Sequence, residues 1–331
     1  MTVNISIDAM GGDFGPNVTM EAITRVLGNH SDVCALVFGD RAALLSAVDQ
    51  NLSHNILSRL DVRHCQSQVD CDDKPSSAVR SKQDSSMALA LKSIKDGDAQ
   101  ACVSAGNTGV LMALGLFTLG TLPGISRPAI CAEIPTDQGN KLMLDLGANV
   151  DCSAQQLYQF AVLGSYTAKL ALDIAKPRVR LLNVGSEAGK GNNLVQTAAR
   201  IIEQDNSLNY QGFVEGDGIF QGQADVVVCD GFSGNVALKA GEGVARYIYQ
   251  KLSRLSAEQE GEFADLKSSI QPSLFNGAYL LGINGVVVKS HGGADVQGFS
   301  NALERAINAA RHQLPSILSP ELEKTIQVTS E

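Results

Sequence analysis

The sequence predicts an α/β protein, a mostly parallel sheet covered on both faces by helices. Two observations carry that expectation. Short β-rich runs alternate with helical stretches through glycine-containing loops along most of the 331 residues, as repeated βαβ units do. Some of those runs, such as Val226-Val227-Val228, are continuously apolar, which suits strands buried on both faces.

In chain order, residues 3–7 alternate apolar and polar like a strand and lead through Asp8-Ala-Met-Gly-Gly-Asp-Phe-Gly-Pro16 into a helix starting near Asn17. A second strand, 33–38, is followed by Gly39-Asp40 and a helical run, and a third, 101–103, leads through Ser104-Ala-Gly-Asn-Thr-Gly109. No charged residue lies between Asp98 and Arg127, and 110–122 is strongly apolar. Such a helix rises about 20 Å, short of a hydrocarbon core of ~30 Å, so a buried helix is expected rather than a membrane span. Strands 129–134 and 142–146, joined through Thr136-Asp-Gln-Gly139, are expected to form a hairpin. Ser153-x-x-Gln156 is a capping box opening a helix to about Asp173, with Ala161, Gly164, Ala168 and Ala171 along one face for close packing. Strand 179–182 leads through Asn183-Val-Gly-Ser-Glu-Ala-Gly-Lys-Gly-Asn192 into helix 194–203, and 225–229 leads through Asp230-Gly-Phe-Ser-Gly-Asn235 into another. Residues 247–273 form the most polar helical stretch, expected as a helical hairpin excursion, and strand 286–288 precedes Lys289-Ser-His-Gly-Gly293. No linker or short-period repeat divides the chain. The expectation is a single domain over 1–331, three-layer α/β/α, with a mostly parallel Rossmann-like sheet and a small antiparallel portion.

Composition narrows the function. With 44% hydrophobic and 18% charged residues the chain is an ordinary globular protein rather than a disordered one. A net charge of −9 argues against a general nucleic-acid or anionic-membrane binder. The seven cysteines are odd in number and scattered, with no C-x-x-C pair, so no zinc site or disulfide framework is legible. With no basic and apolar leader visible, a reduced, cytoplasmic protein is expected.

The chemistry is expected in the glycine-rich loops. In an open parallel sheet ligands bind beyond the carboxyl ends of the strands, where helix N-termini offer unpaired N–H groups to anions. Nucleotide signatures are missing: Gly189-Lys190 resembles the end of a phosphate-binding loop, but Val184 and Gly191 break the pattern, and no G-x-G-x-x-G follows a strand. Gly231-Phe-Ser-Gly-Asn235 is not a nucleophile elbow, so Ser233 reads as a cap or an anion contact. Asn107, Asn183, Asn192 and Asn235 can donate to phosphate or carbonyl oxygens, although each residue type also serves turns and caps. Gly106 and Thr108 flank the first of them. Lys190 stands alone among small and polar neighbours, where a cation could neutralise an anion. Asp8, Asp13 and Asp230 flank strand ends and could orient lysines or bind a metal; capping is their other role. Of five histidines only His291 lies in a glycine-rich setting, where imidazole could protonate a leaving group. Lys169, Lys176, Arg178 and Arg180 form a basic cluster opposed only by Asp173.

Taken in order, these loops resemble the PlsX family of bacterial phosphate acyltransferases. The match runs through Ile7-Asp-Ala-Met-Gly-Gly-Asp13, Lys74-Pro-Ser-Ser-Ala-Val-Arg80 with Ser85-Ser-Met87, Ser104-Ala-Gly-Asn-Thr-Gly109 and Arg127-Pro-Ala-Ile130. It continues through Leu144-Asp-Leu-Gly-Ala-Asn-Val-Asp-Cys152, Leu181-Leu-Asn-Val-Gly185 with Lys190-Gly-Asn192, Gly212-Phe-Val-Glu-Gly216, 225–235 and 289–292. The resemblance implies an isocitrate-dehydrogenase-like or phosphotransacetylase-like fold and transfer of a long acyl chain from acyl carrier protein to inorganic phosphate, without metal or cofactor. It also implies a homodimer, cytoplasmic with loose peripheral membrane contact, passing acyl phosphate to a membrane glycerol-3-phosphate acyltransferase. On that reading Lys190, with the Asn107 and Asn235 loops, holds phosphate and the oxyanion, His291 or Lys289 assists the departing thiolate, and Lys169, Lys176, Arg178 and Arg180 dock the acidic carrier. Between 246 and 267 four basic residues face four acidic ones, which is not the composition of a basic membrane-binding helix. The competing expectations are a short-chain acyl-CoA phosphotransacylase, a non-catalytic acyl-carrier-binding scaffold and, third, a nicotinamide dehydrogenase.

Overall fold

The structure, a computed structural model, describes residues 2–48, 52–255, 261 and 263–313. The chain divides into two compact units, one of residues 1–128 and 276–331 and one of 129–275.

The first unit opens with β1 (Val3–Asp8), α1 (Pro16–Asn29), β2 (Val33–Gly39), the short helices α2 (Arg41–Ser46) and α3 (His54–Leu57), and β3 (Leu60–His64). Then come α4 (Pro75–Ser81), α5 (Ser86–Lys95), β4 (Ala101–Ser104) and α6 (Thr108–Leu119). β1 lies between β2 and β4, and β2 also pairs with β3, every pair parallel. Buried Ile5, Ile7, Val37 and Val103 explain the apolar strand runs. α6 ends at Gly120 after twelve residues. Among the described residues no helix is long and apolar enough to cross a membrane.

The second unit begins with β5 (Ala129–Ile134), antiparallel to β6 (Lys141–Leu144), the hairpin the sequence predicts. α7 (Ala154–Ala171) follows, with both halves of the Ser153–Gln156 capping box formed. β7 (Arg178–Leu182), α8 (Asn193–Glu203), β8 (Asn209–Val214), β9 (Val226–Val228) and α9 (Gly231–Leu252) complete its α/β layers. The strand order is β5-β6-β9-β7-β8, parallel from β6 onward. The small-residue face of α7 packs as expected: a Cβ on Gly164 would lie 2.5 Å from a Val226 methyl. Tyr158 and Phe160 of the same helix are fully buried, each contributing about 1.5–3 kcal/mol of apolar transfer. Of the expected helical hairpin, the structure describes the end of α9, then α10 (Ala264–Ser269) and a 3-10 turn, Pro272–Phe275; residues 256–260 and 262 lie outside the described residues. Buried positions in α9 are few, Gly231, Gly234 and Ala245.

The chain then returns to the first unit with β10 (Ala278–Leu281), antiparallel to β11 (Val286–Lys289), which runs parallel beside β4. α11 (Val296–Arg311) closes the unit by packing on α1 and on β4 and β11. The order there is β3-β2-β1-β4-β11-β10. All seven cysteines are free thiols. Burial pushes the thiols of Cys65 and Cys152 up to about 11 and that of Cys102 to about 12, so they are protonated packing groups.

Candidate active site

Strand register assembles the first unit's site. β1, β4 and β11 are parallel neighbours, with Asp8 opposite Ser104 and Ser104 opposite Lys289 at their carboxyl ends. Asp8 is 1% exposed. Its Oδ2 accepts from the Ser104 hydroxyl at 2.7 Å and its Oδ1 from the Ser86 hydroxyl, in the first turn of α5, at 2.6 Å. Burial raises its pKa above the ordinary value, against the lowering effect of those two bonds, the Met10 N–H and the Lys289 charge. The Lys289 ammonium donates to the carbonyls of Ala105, at 3.2 Å, and Ser290.

Three loops meet above these strand ends. Gly11 lies against the Gly106 backbone so closely that a Cβ would stand 2.5 Å from the Gly106 nitrogen. The Asp13 N–H donates to the Gly292 carbonyl at 2.8 Å. His291 is exposed; its Nδ1 accepts the Gly293 N–H at 3.1 Å, which in a neutral ring leaves the proton on Nε2. Asn107 is engaged at both ends: its Oδ1 caps α6 through Val110 N–H at 3.1 Å, and its Nδ2 donates to the Cys71 and Asp73 carbonyls at 2.8 and 3.2 Å. The cap thereby fixes the start of α6, where Thr108 and Gly109 are exposed and their N–H groups precede the capped turn.

In the second unit the loops after β6, β7 and β9 carry the remaining residues. Asp145, just beyond β6, accepts from the N–H groups of Ile130, Ala148 and Asn149 and from the Asn149 amide. Burial nonetheless raises its pKa. Asp230 caps α9, taking both the N–H and the hydroxyl of Ser233 at 2.8 Å, so Ser233 serves the cap. Asn235 is exposed beside Gly147. Asn183 closes its loop by donating to the Gly185 and Lys190 carbonyls, each at 3.1 Å, and Asn192 caps α8 through Val195 N–H at 2.9 Å. Lys190 is exposed at the top of that loop.

The structure thus gathers Asp8, Gly106, Asn107, Thr108, Lys289 and His291 at the carboxyl ends of the first unit's interior strands. Asn183, Lys190, Asn192, Asp230, Ser233 and Asn235 lie on strand-end loops of the second. Two of the four basic-cluster residues have partners inside the unit. Arg178 is half-buried and forms two bonds to Asp225, at 2.9 and 3.0 Å, with a third to the Gly222 carbonyl. Arg180 is half-buried and donates to the Phe213 carbonyl at 2.9 Å. These guanidiniums hold the sheet together, which leaves Lys176, exposed, and Lys169, 4.5 Å over the Tyr166 ring, as the surface cations of the four. Sequence reasoning did not single out Ser86, Ser104, Asn276 or Asp145. The paired serines of Ser85-Ser-Met87, the strand-end Ser104 and Asp145, bonded to Ala148 and Asn149 a few residues on, were visible signals; Asn276 acquires its partners through folding alone. Among the described residues no group of three His, Cys, Asp or Glu side chains is placed to hold a metal ion. The second unit also carries an open apolar cleft of about 750 Å³, lined by Phe220, Val244, Ile248, Leu266, Ile270 and Phe275.

A mostly parallel sheet covered by helices, with glycine-bearing loops at the carboxyl ends of its strands, is a fold shared with solved phosphotransacetylases. A phosphotransacetylase from Streptococcus pyogenes superposes with a TM-score of 0.65 at 19% identity, covering 94% of each chain. A branched-chain phosphotransacylase from Enterococcus faecalis gives 0.58 at 15% identity, covering 94% of this chain and all of the other. The model of the family described as fatty acid synthesis protein matches residues 3–317, and the chain belongs to that family. The phosphate acyltransferase of Nitrosococcus oceani is 47% identical over 98% of this chain and 97% of its own length; that of Pseudomonas syringae pv. syringae is 49% identical over the same shares. The chain is an acyltransferase.

Proposed function

We propose that the protein transfers an acyl group to inorganic phosphate, with a long-chain acyl group on acyl carrier protein as donor and acyl phosphate for phospholipid synthesis as product. The observation that carries this reading is the meeting of three glycine-bearing loops over Asp8, Ser104 and Lys289 beside the N-terminus of α6. Exposed N–H groups, a lysine ammonium and an imidazole together suit a phosphate nucleophile and a thioester. Hydrogen phosphate dianion is already a nucleophile near neutral pH, so the protein has chiefly to position it. A phosphate oxygen attacks the thioester carbonyl, the carbon–sulfur bond breaks, and the proton of the hydrogen phosphate ends on the thiol. Lys289 opposes the negative charge that develops, and the His291 Nε2–H donates a hydrogen bond to the departing sulfur. Asn107 acts by setting the start of α6, while Lys190 and Asn235 of the second unit are assigned to phosphate.

The apolar cleft of the second unit has the size and lining of a site for an apolar ligand, which favours a long acyl chain over a short one. Lys169 and Lys176 are assigned to the acidic carrier protein. The sparsely buried α9, with Phe232, Val236 and Tyr247 exposed, supports association as a homodimer and peripheral hand-off of product to a membrane glycerol-3-phosphate acyltransferase.

The test supplies purified protein with long-chain acyl carrier protein, with and without phosphate, and follows acyl phosphate by mass spectrometry. Phosphate-dependent product is expected. Product only from short acyl-CoA would replace the reading with a short-chain phosphotransacylase. No product from folded, carrier-binding protein would replace it with a scaffold.

A further inference from the structure

We infer that Asn276 is a positioning residue, a buried clamp that sets the backbone of the His291 loop; the inference rests on the acyl-transfer reading of that loop. Asn276 is the residue at which the chain re-enters the first unit, and it is 7% exposed. Its amide is spent entirely on the loop and on the helix that follows. The Oδ1 accepts the His291 N–H at 2.6 Å, and the Nδ2 donates to the Ser290 hydroxyl at 2.9 Å and to the Gly298 carbonyl, in the first turn of α11, at 2.6 Å. One side chain therefore holds the loop at its exit from β11 and at its entry into α11.

The surroundings are built for that amide. A Cβ on Gly298 would stand 3.3 Å from the Asn276 Nδ2 and press on it, and one on Gly277 would stand 3.1 Å from the Ala302 Cα. Gly277 lets the chain lie flat on α11 with its neighbour's amide inserted. Ser290 is itself fully buried, and its N–H donates to the Ser104 carbonyl at 2.9 Å, so the clamp bears on the strand end that also meets Asp8. Lys289 and His291 project from residues on either side of Ser290. Their backbone is held by the Ser290 N–H on the Ser104 carbonyl, by the Asp13 N–H on the Gly292 carbonyl and, between these, by the Asn276 amide on the His291 N–H. An error of about 1 Å in such a loop costs on the order of 100-fold in rate.

The test compares wild type, Asn276→Ala, His291→Ala and the double variant. In Asn276→Ala, kcat for acyl phosphate formation is expected to fall about 10–100-fold with a smaller change in KM for the acyl donor. Amide hydrogen exchange is expected to quicken in 290–294 while β1 and β4 keep their protection. In the His291→Ala background most of the kcat loss should disappear, because coupled residues are non-additive. Unchanged exchange in 290–294, unchanged kcat, or an equal loss in both backgrounds would overturn the inference. Should Asn276→Ala fail to fold, Asn276→Asp keeps the acceptor for His291 N–H and sets a carboxylate oxygen against the Gly298 carbonyl, and the same readings apply. Wild-type protein that forms no acyl phosphate would defeat the acyl-transfer reading; the exchange pattern would then decide the clamp by itself.

Discussion

Ser104 stands opposite Asp8 in register and passes on the constraint it receives: its hydroxyl donates to Asp8 Oδ2 at 2.7 Å and accepts the Gly106 N–H at 3.0 Å. A buried carboxylate thereby orients the backbone that opens α6. Ser104→Ala removes both bonds and leaves a buried charged group short of a donor, a loss of about 1–3 kcal/mol. The expected outcome is a lower urea midpoint together with at least a tenfold lower kcat. A variant that loses stability but keeps full turnover would separate the bond from the site.

Asp8 itself works against stability at neutral pH. Burial raises its folded pKa above 3.8, so between 3.8 and that raised value the folded state holds the proton more tightly than the unfolded state. Stability falls as pH rises through that window. Asp8→Asn does not titrate. Its stability relative to wild type is therefore expected to rise with pH from about pH 4 and to level off once folded Asp8 has ionised. Urea unfolding at intervals from about pH 4 to about pH 8 measures the difference, and a flat difference would count against the buried charge.

Asp225 has the opposite sign. Burial alone pushes its carboxyl up, but bonds from Arg178 and Lys141 outweigh it and hold the pKa well below 3.8. Its contribution to stability is present above 3.8 and is lost as pH falls toward the folded pKa. Asp225→Asn leaves Lys141, 9% exposed, without its charge partner, at a cost of about 3–5 kcal/mol. The deficit against wild type should be full near neutral pH and shrink below about pH 4, as read from denaturation midpoints. A deficit independent of pH would show that packing, not charge, is what the substitution removes.

The same ion pair explains what was and was not legible in the sequence. Val226-Val227-Val228 announced a buried parallel strand, and Ser153 with Gln156 announced a helix start, because each signal is complete within a few neighbouring residues. The loops after β1, β4, β7, β9 and β11 were legible for the same reason. Arg178 and Arg180 were not: as a sequence they are a basic run, and only the register of β7 beside β9 brings Asp225, 47 residues on, under Arg178. Asn276 was hidden likewise, since its partners lie 14 to 22 residues away. The Asn107 amide donates to the Cys71 and Asp73 carbonyls, partners 36 and 34 residues back that spacing does not reveal.

Carrier docking now rests on fewer residues. Lys169→Glu with Lys176→Glu is expected to raise KM for the acyl carrier substrate severalfold, to leave kcat and melting temperature near wild type, and to weaken the salt dependence of KM. Arg178→Glu places a second carboxylate beside Asp225 and should lower the melting temperature. If reversing both lysines leaves KM for the carrier untouched at low salt, the docking face lies elsewhere.

Lys190 offers the cleanest separation of function from stability. It is exposed at the tip of a loop whose shape is held by others: Asn183 donates to the Gly185 and Lys190 carbonyls, and the Gln196 amide donates to the Gly189 carbonyl at 3.1 Å and the Gly191 carbonyl at 3.3 Å. The Lys190 side chain is therefore dispensable for the loop, and Lys190→Ala should change stability by no more than about 0.5 kcal/mol. If the ammonium neutralises phosphate, the same variant raises KM for phosphate about 10–100-fold, an amount typical of a lost charge-assisted contact. Lys190→Arg keeps the charge and should recover part of that loss. Steady-state kinetics with phosphate varied at saturating acyl donor reads the effect directly. A folded Lys190→Ala protein with wild-type phosphate kinetics would remove Lys190 from phosphate binding.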